Sequence, residues 1–383
     1  MKIIFVISSR MPTEKAYGVT MTNTAEMLLK QGIDNEIWSI SDSPQAYDPL
    51  RPFEFSPSYI SRLRKCFGST FKPLRMLAYF VNTIRVSIGS AKRLVGEKQS
   101  LVILREPILL MLVQGLTAPK RHFYLLELHH MPNSRIIFLI KIWRKFRFFE
   151  IATISNSLHV TASSYFYPGP IFTLPMAASS RFRAHVLAPH EEEKFVYYGK
   201  LMSSGHDNGI LETLKTIKGS QTLNPPLKFT LIGFSEEEKN LIEKELGTTW
   251  GKGLDLLIEP HIDNEKLPLI LSQYSASIIP YPNTRYNNER FPLKLVELAA
   301  LGIPLIVSDI PGLRDLLPED CAIWFEFNDP PSLIRAINIL ISEPWPARNE
   351  RIQRLRGWAQ SYSYENRASL LHKYSELLEE SGE

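Results

Sequence analysis

The stretch Glu289–Arg314, ERFPLKLVELAALGIPLIVSDIPGLR, decides the fold. Pro292 suits the first turn of a helix, where its missing N–H costs nothing. The apolar run behind it carries that helix to Leu301, and Gly302 stands where a helix end wants a left-handed residue. Pro304–Ser308 then reads as a short apolar strand, of the kind buried on both faces of a parallel sheet. A helix feeding straight into a buried strand is the repeating step of an α/β protein. The start of this helix also carries chemistry. The N–H groups around Phe291–Lys294 have no partner inside the helix, and the helix dipole adds partial positive charge there, which suits a diphosphate. Glu297 lies about one to one and a half turns further in. A carboxylate beside bound phosphate is electrostatically awkward unless it accepts from hydroxyl groups, and a ribose diol supplies them.

Outward from this stretch, strand and helix signals alternate along the whole chain. Lys2–Ser8 is a continuous β-rich run. A loop with Pro and Gly follows, then a helical segment from about Val19 to Gln31, closed by Gly32. Asn35–Ser39, Leu101–Leu104, Phe123–Leu128 and Glu150–Ile154 read as the next strands. The pattern then restarts. Lys194–Tyr198 leads into a glycine-containing loop and a helix around Gly209–Ile217. Leu227–Ile232 precedes a helix over Glu236–Leu246, and Ser277–Pro280, Pro304–Ser308 and Ala322–Phe325 are further short strands. Two α/β runs of similar size in 383 residues predict two Rossmann-like, doubly wound parallel-sheet domains. The polar segment Ala184–Glu193 is the expected linker, which puts the domains at 1–185 and 186–363. Neither first strand is followed by G-x-G-x-x-G: after Ser8 comes SRMPTEKAYG, and after Tyr198 comes GKLMSSGHDNG. That argues against a nicotinamide or flavin enzyme.

Composition narrows the class further. Cys66 and Cys321 are far apart with no histidine cluster, so neither a disulfide scaffold nor a zinc site is expected. The opening MKIIFVISSRMP reads as a buried strand rather than a secretory leader. The longest apolar stretch, Pro107–Pro119, falls short of the roughly 20 residues that span a bilayer. A cytoplasmic location follows, with room for contact at the inner face of a membrane. Charge is lopsided: residues 1–185 hold 24 Lys+Arg against 11 Asp+Glu, and the remainder 20 against 29. The basic first half is expected to face an anionic partner, such as a membrane surface or a phosphorylated acceptor. Nucleic acid is the weaker candidate, because no recognition module accompanies the charge.

Glu289 and Glu297 are separated by seven residues, RFPLKLV, and are followed by AALGIPLIVSD and PGLRD. The whole string resembles the retaining glycosyltransferases of family 4, which have the GT-B fold: two Rossmann-like domains facing across a cleft. The resemblance implies transfer of a sugar from a nucleoside-diphosphate sugar to an acceptor hydroxyl, with anomeric configuration retained. It implies that Glu297 binds the nucleotide ribose, that Glu289 acts beside the donor sugar hydroxyls, and that the backbone of Pro292, Leu293 and Lys294 holds the diphosphate. Gly199 then lets the chain approach the phosphates, and Lys200 is the cation that neutralises the leaving diphosphate. The family's second cation, in a Lys-Gly pair, is replaced here by Asn208-Gly209, and Lys294 is the candidate substitute.

The resemblance extends to the first half. MPTEKAYGVTMTNTA, Met11–Ala25, is similar to the family's opening loop, in which Gly18 lets the backbone approach donor phosphate or acceptor. Glu127-Leu128-His129 is similar to a strand-end E-x-H element whose histidine approaches the donor sugar. The last segment, about 364–383, resembles a helix that returns to the first domain. No metal or other cofactor is implied, since protein cations and dipoles neutralise the leaving group. The implied setting is surface polysaccharide or glycolipid assembly. Two other readings stay open: a non-catalytic GT-B protein that binds a nucleotide or a partner, and a GT-B sugar-nucleotide epimerase. Two basic segments stand apart. Ser61–Lys98 holds nine Lys+Arg and one Glu. Arg135–Phe149, RIIFLIKIWRKFRFF, mixes five basic residues with bulky apolar ones. It fits either a helix packed on the sheet or one lying in a bilayer interface beside a lipid-linked acceptor.

Overall fold

The computed structural model describes residues 1–10, 16–40, 53–55, 72–118, 121–183, 192–247 and 252–382. The chain divides into two compact units, one of Met1–Pro175 with Tyr364–Glu383 and one of Met176–Ser363. Most of the expected linker, residues 184–191, lies outside the described residues, as do residues 11–15 of the opening loop and residues 61–71 of the first basic segment.

The first unit is built on seven strands: β1 (Lys2–Arg10), β2 (Asn35–Ile40), β3 (Phe53–Phe55), β4 (Ser100–Leu104), β5 (Phe123–Leu128), β6 (Glu150–Thr153) and β7 (Ile171–Thr173). They pair in parallel in the order β3-β2-β1-β4-β5-β6-β7. Ile3 to Ile7 are all buried, which is why β1 reads as a continuous apolar run rather than an alternating one. The chain adds strands on one side of β1 and then on the other. This places a topological switch point between β1 and β4, where the carboxyl ends of α/β strands receive ligands. The helix Tyr364–Gly382 belongs to this unit, with Ala368, Leu371 and Leu378 in one apolar cluster with Ile3, Leu28 and Leu125.

The second unit repeats the plan. Its strands β8 (Lys194–Tyr198), β11 (Leu227–Ile232), β12 (Leu254–Glu259), β13 (Ala276–Ile279), β14 (Leu305–Ser308) and β15 (Ile323–Phe325) pair in parallel in the order β12-β11-β8-β13-β14-β15. A small hairpin, β9 (Met202–Ser203) with β10 (His206–Asp207), follows β8. The switch point here lies between β8 and β13.

Two local expectations need correction. The first helix spans Ala16–Lys30, so Gly18 sits buried within its first turn instead of in the loop before it. Pro292 is the residue before the helix Leu293–Leu301, not inside it; Gly302 closes that helix at φ 82° as expected. The basic segment up to Lys98 contains the long helix Lys72–Leu94, and the apolar stretch after Glu106 is the helix Pro107–Leu116.

Candidate functional site

The carboxyl ends of β8, β11 and β13 set the second unit's site. Beyond Tyr198 the backbone turns at Gly199, whose φ of 137° few other residues adopt, and its N–H donates to the Ile232 carbonyl at 2.8 Å. A methyl group on Gly199 would lie 2.5 Å from the Lys294 ammonium. The glycine is therefore what lets that ammonium settle over the end of β8. The Lys294 Nζ sits 3.8 Å from the ring centre of Tyr197, with Tyr198 and Tyr281 at 5.7 and 5.9 Å. Tyrosine faces attract a cation but leave its N–H donors unused. Burial, and then the charge of Arg290, push the Lys294 pKa well below the usual lysine value, with Glu297 opposing.

One turn on, the Tyr198 hydroxyl donates to Glu297. Burial raises the Glu297 carboxyl to about 7, against the pull of that hydrogen bond and of Lys294. No side chain caps the helix Leu293–Leu301. Pro292 has no N–H to give, so the backbone donors at this end are those of Leu293 and Lys294.

Arg290, which sequence reasoning passed over, is the second cation of this cluster. It is buried, its Nη1 donates to Asn208 Oδ1 at 2.9 Å, and its guanidinium lies 3.5 Å from the ring centre of Tyr281. Among the described residues its Nε and Nη2 have no hydrogen-bond partner. Neither Arg290 nor Lys294 has a carboxylate salt-bridge partner there. A buried arginine and a half-buried lysine beside an uncapped helix start make a positive pocket, with Glu297 the acid that acts on Lys294. The one signal in the sequence was an arginine wedged between Glu289 and the apolar Phe291.

The remaining expected residues take different places. Lys200 is exposed and without a side-chain partner among the described residues, while its carbonyl accepts from the Tyr197 hydroxyl and from Asn208 Nδ2. Asn208 is buried and committed to structure: it donates to Lys200 O and Ser203 Oγ and accepts from Arg290. At the position where the resemblance implied a second cation, the Arg290 guanidinium docks on the Asn208 amide oxygen. Glu289 is buried and pairs with Arg285 at 2.7 Å.

The first unit carries its own polar cluster at the ends of β1, β4 and β5. His129 contacts Glu127 at 2.5 Å and packs against Arg105. Burial, and then Arg105, lower the His129 pKa to about 4, so its imidazole is neutral at pH 7. Burial alone would raise the Glu127 carboxyl, but Arg367, Arg105 and His129 hold it well below the carboxylate range. Beside them Glu106 accepts from Ser8 and from the Tyr79 hydroxyl. Gly18 is not in this cluster's hydrogen-bond network.

Solved structures place this architecture. A sucrose-phosphate synthase from Thermosynechococcus elongatus is similar at TM-score 0.71, with 14% identity over 99% of each chain. An E. coli trehalose-6-phosphate protein solved with UDP-2-fluoro glucose matches at 0.69, with 11% identity over 97% of this chain and 98% of that one. The lipopolysaccharide outer core galactosyltransferase WaaB matches at 0.65, with 13% identity over 97% and 98%. At such identities the likeness speaks for the fold, and the fold is GT-B. Residues 179–358, almost the whole second unit, match the sequence profile of the family described as glycosyl transferases group 1. No curated protein matches the chain in sequence.

Proposed function

We propose that the chain is a retaining glycosyltransferase, of the kind grouped as family 4, that moves a sugar from a nucleoside-diphosphate sugar to an acceptor hydroxyl in surface polysaccharide or glycolipid assembly. The observation that carries this reading is the pair of cations, Lys294 and Arg290, neither in a salt bridge among the described residues, beside the open start of a helix whose Glu297 lies one turn in. On this reading the diphosphate takes the Leu293 and Lys294 N–H groups and the Lys294 ammonium. Glu297 accepts from the ribose diol. As the bond from the anomeric carbon to phosphate breaks, charge grows on the leaving oxygen, and fixed cations stabilise it without reorganising. The leaving phosphate takes the acceptor proton on the same face, and Lys200, exposed beside Gly199, is placed to close on it. Protein cations then do the work that a metal ion does in other transferases.

The test is a panel of nucleotide sugars in binding and turnover assays, beginning with uridine donors. Glu297→Ala is expected to weaken nucleotide binding, and Lys200→Ala to slow transfer with binding largely kept. If both variants behave like the parent, the site is misassigned. Asn208 in place of a cation favours a second reading, a nucleotide-binding protein without turnover. That protein would show a ligand-induced melting shift and no product.

A further inference from the structure

The helix Ser134–Trp143 resolves a choice the sequence left open. Ile137 and Ile140 are buried, and the Trp143 indole N–H donates to Gln114 Oε1 at 2.8 Å, which fixes the helix on its neighbour Pro107–Leu116. A surface helix so anchored normally turns charged and polar residues outward. This one does not. Arg135, Phe138, Leu139 and Ile142 follow at helical spacing on its outer face, and all are exposed. The chain then leaves Phe146 and Phe148 at 75% and 66% exposure. The adjoining helix, Asn156–Phe166, adds Val160 and Tyr165, and Tyr167 beyond it is 83% exposed. The two helices share one face: the Lys141 ammonium stands over the Tyr165 ring, and Arg144 donates to the Phe166 carbonyl.

Charge selects the partner. Between Leu128 and Ser180 the sole acid is Glu150, which is buried and takes a hydrogen bond from Tyr374. Lys141, Lys145 and Arg135 are exposed along the apolar stripe. A second copy of this chain docked through the same face would bring cations against cations, so a symmetric dimer through it is disfavoured. Nucleic acid would leave the phenylalanines in water. A bilayer with anionic headgroups satisfies both sets, with aromatic and aliphatic side chains entering the acyl boundary and long basic side chains reaching back to phosphate.

We infer that this face of the first unit, centred on Phe138, Ile142, Phe146 and Phe148, docks the protein on an anionic membrane surface. The inference stands apart from the transferase reading, because binding to lipid is measured without turnover. The test is co-sedimentation of the full chain with phosphatidylcholine vesicles, with and without phosphatidylglycerol. The parent is expected to sediment with the anionic vesicles and to release as salt rises. Lys145→Glu with Arg135→Glu should lower partitioning on the order of tenfold or more, since each basic residue contributes about 1 kcal/mol near such a surface. Phe146→Ser with Phe148→Ser should also release the protein, while circular dichroism and melting temperature stay at parental values; Phe138→Ser serves if the pair misfolds. Equal sedimentation with neutral vesicles, no sedimentation by the parent, or unchanged binding by the folded variants overturns the inference. So does a dimer in solution that the phenylalanine substitutions dissolve.

Discussion

At Lys294 an ammonium rests among three tyrosine rings, with no salt bridge among the described residues and with its pKa pushed down by burial and by Arg290 against the pull of Glu297. A half-buried cation held this way costs folding free energy, which on the proposed function a bound diphosphate would offset. Lys294→Met keeps the length of the side chain and removes the charge. Its expected result is opposed: the unliganded protein melts higher, by about 2–4 °C per kcal/mol gained, while affinity for UDP falls on the order of tenfold or more. Affinity for uridine, which has no phosphate, stays level. Calorimetric titration with both ligands separates these outcomes, and equal losses for the two would remove Lys294 from the phosphate site. Glu297 adds a pH signature. Its carboxyl ionises near 7 in the folded chain against 4.5 as an ordinary glutamate. The folded state therefore holds the proton more tightly, and this residue's contribution to stability falls as pH rises from about 4.5 through about 7. Glu297→Gln should flatten that fall. Uridine binding, which needs an accepting carboxylate, should strengthen in the parent across pH 7 and stay flat in the variant.

The elements differ in how openly the sequence announced them. Strands buried on both faces, such as Ile3–Ile7 in β1 and Phe229–Ile232 in β11, were legible because no charged residue interrupts them. β12 was missed because it is an edge strand: Asp255 and Leu257 face outward, and LDLLIE shows no uniform run. β7 was missed because it is three residues set between Pro170 and Pro175. In the site, Glu297, Lys294 and Gly199 were visible because they lie in short contiguous motifs. The stacking of Lys294 on Tyr197 and Tyr198 and the docking of Arg290 on Asn208 were not, because they join residues some eighty to a hundred positions apart that only the sheet order brings together. The C-terminal helix shows the same limit. Arg367 reaches Glu127 at 2.8 Å, the Leu174 and Pro175 carbonyls, and Thr24, although they are distant in sequence. Both members of the ion pair are buried, and removing Arg367 takes from Glu127 its leading charge partner and leaves it to Arg105 at 3.8 Å and His129. Arg367→Met should cost about 3–5 kcal/mol in chemical denaturation, whereas Arg367→Met with Glu127→Leu should recover much of that loss. A double variant no more stable than the single would mean that Arg367 acts through its carbonyl contacts alone.

At the scale of the whole molecule, the first unit is discontinuous in sequence and the second is continuous. Each has its own sheet and its own apolar cluster, which predicts two unfolding events in place of one. The pocket with Lys294, Arg290 and Glu297 lies wholly within Met176–Ser363, so a nucleoside diphosphate should raise the melting of that unit by mass action. Removing residues 364–383 strips Ala368, Leu371 and Leu378 from the cluster around Ile3 and Leu28 and leaves Glu127 without Arg367. Scanning calorimetry of the full chain and of the truncated chain, each with and without UDP, tests both points. The full chain should show one UDP-responsive transition and one that UDP moves little. The truncated chain should lose or sharply lower the second while keeping the first and its response. A single transition that UDP shifts as a whole, or a truncation that lowers both equally, would show that the two sheets unfold as one body. The division of labour between a ligand-responsive unit and one clasped by its returning helix would then be wrong.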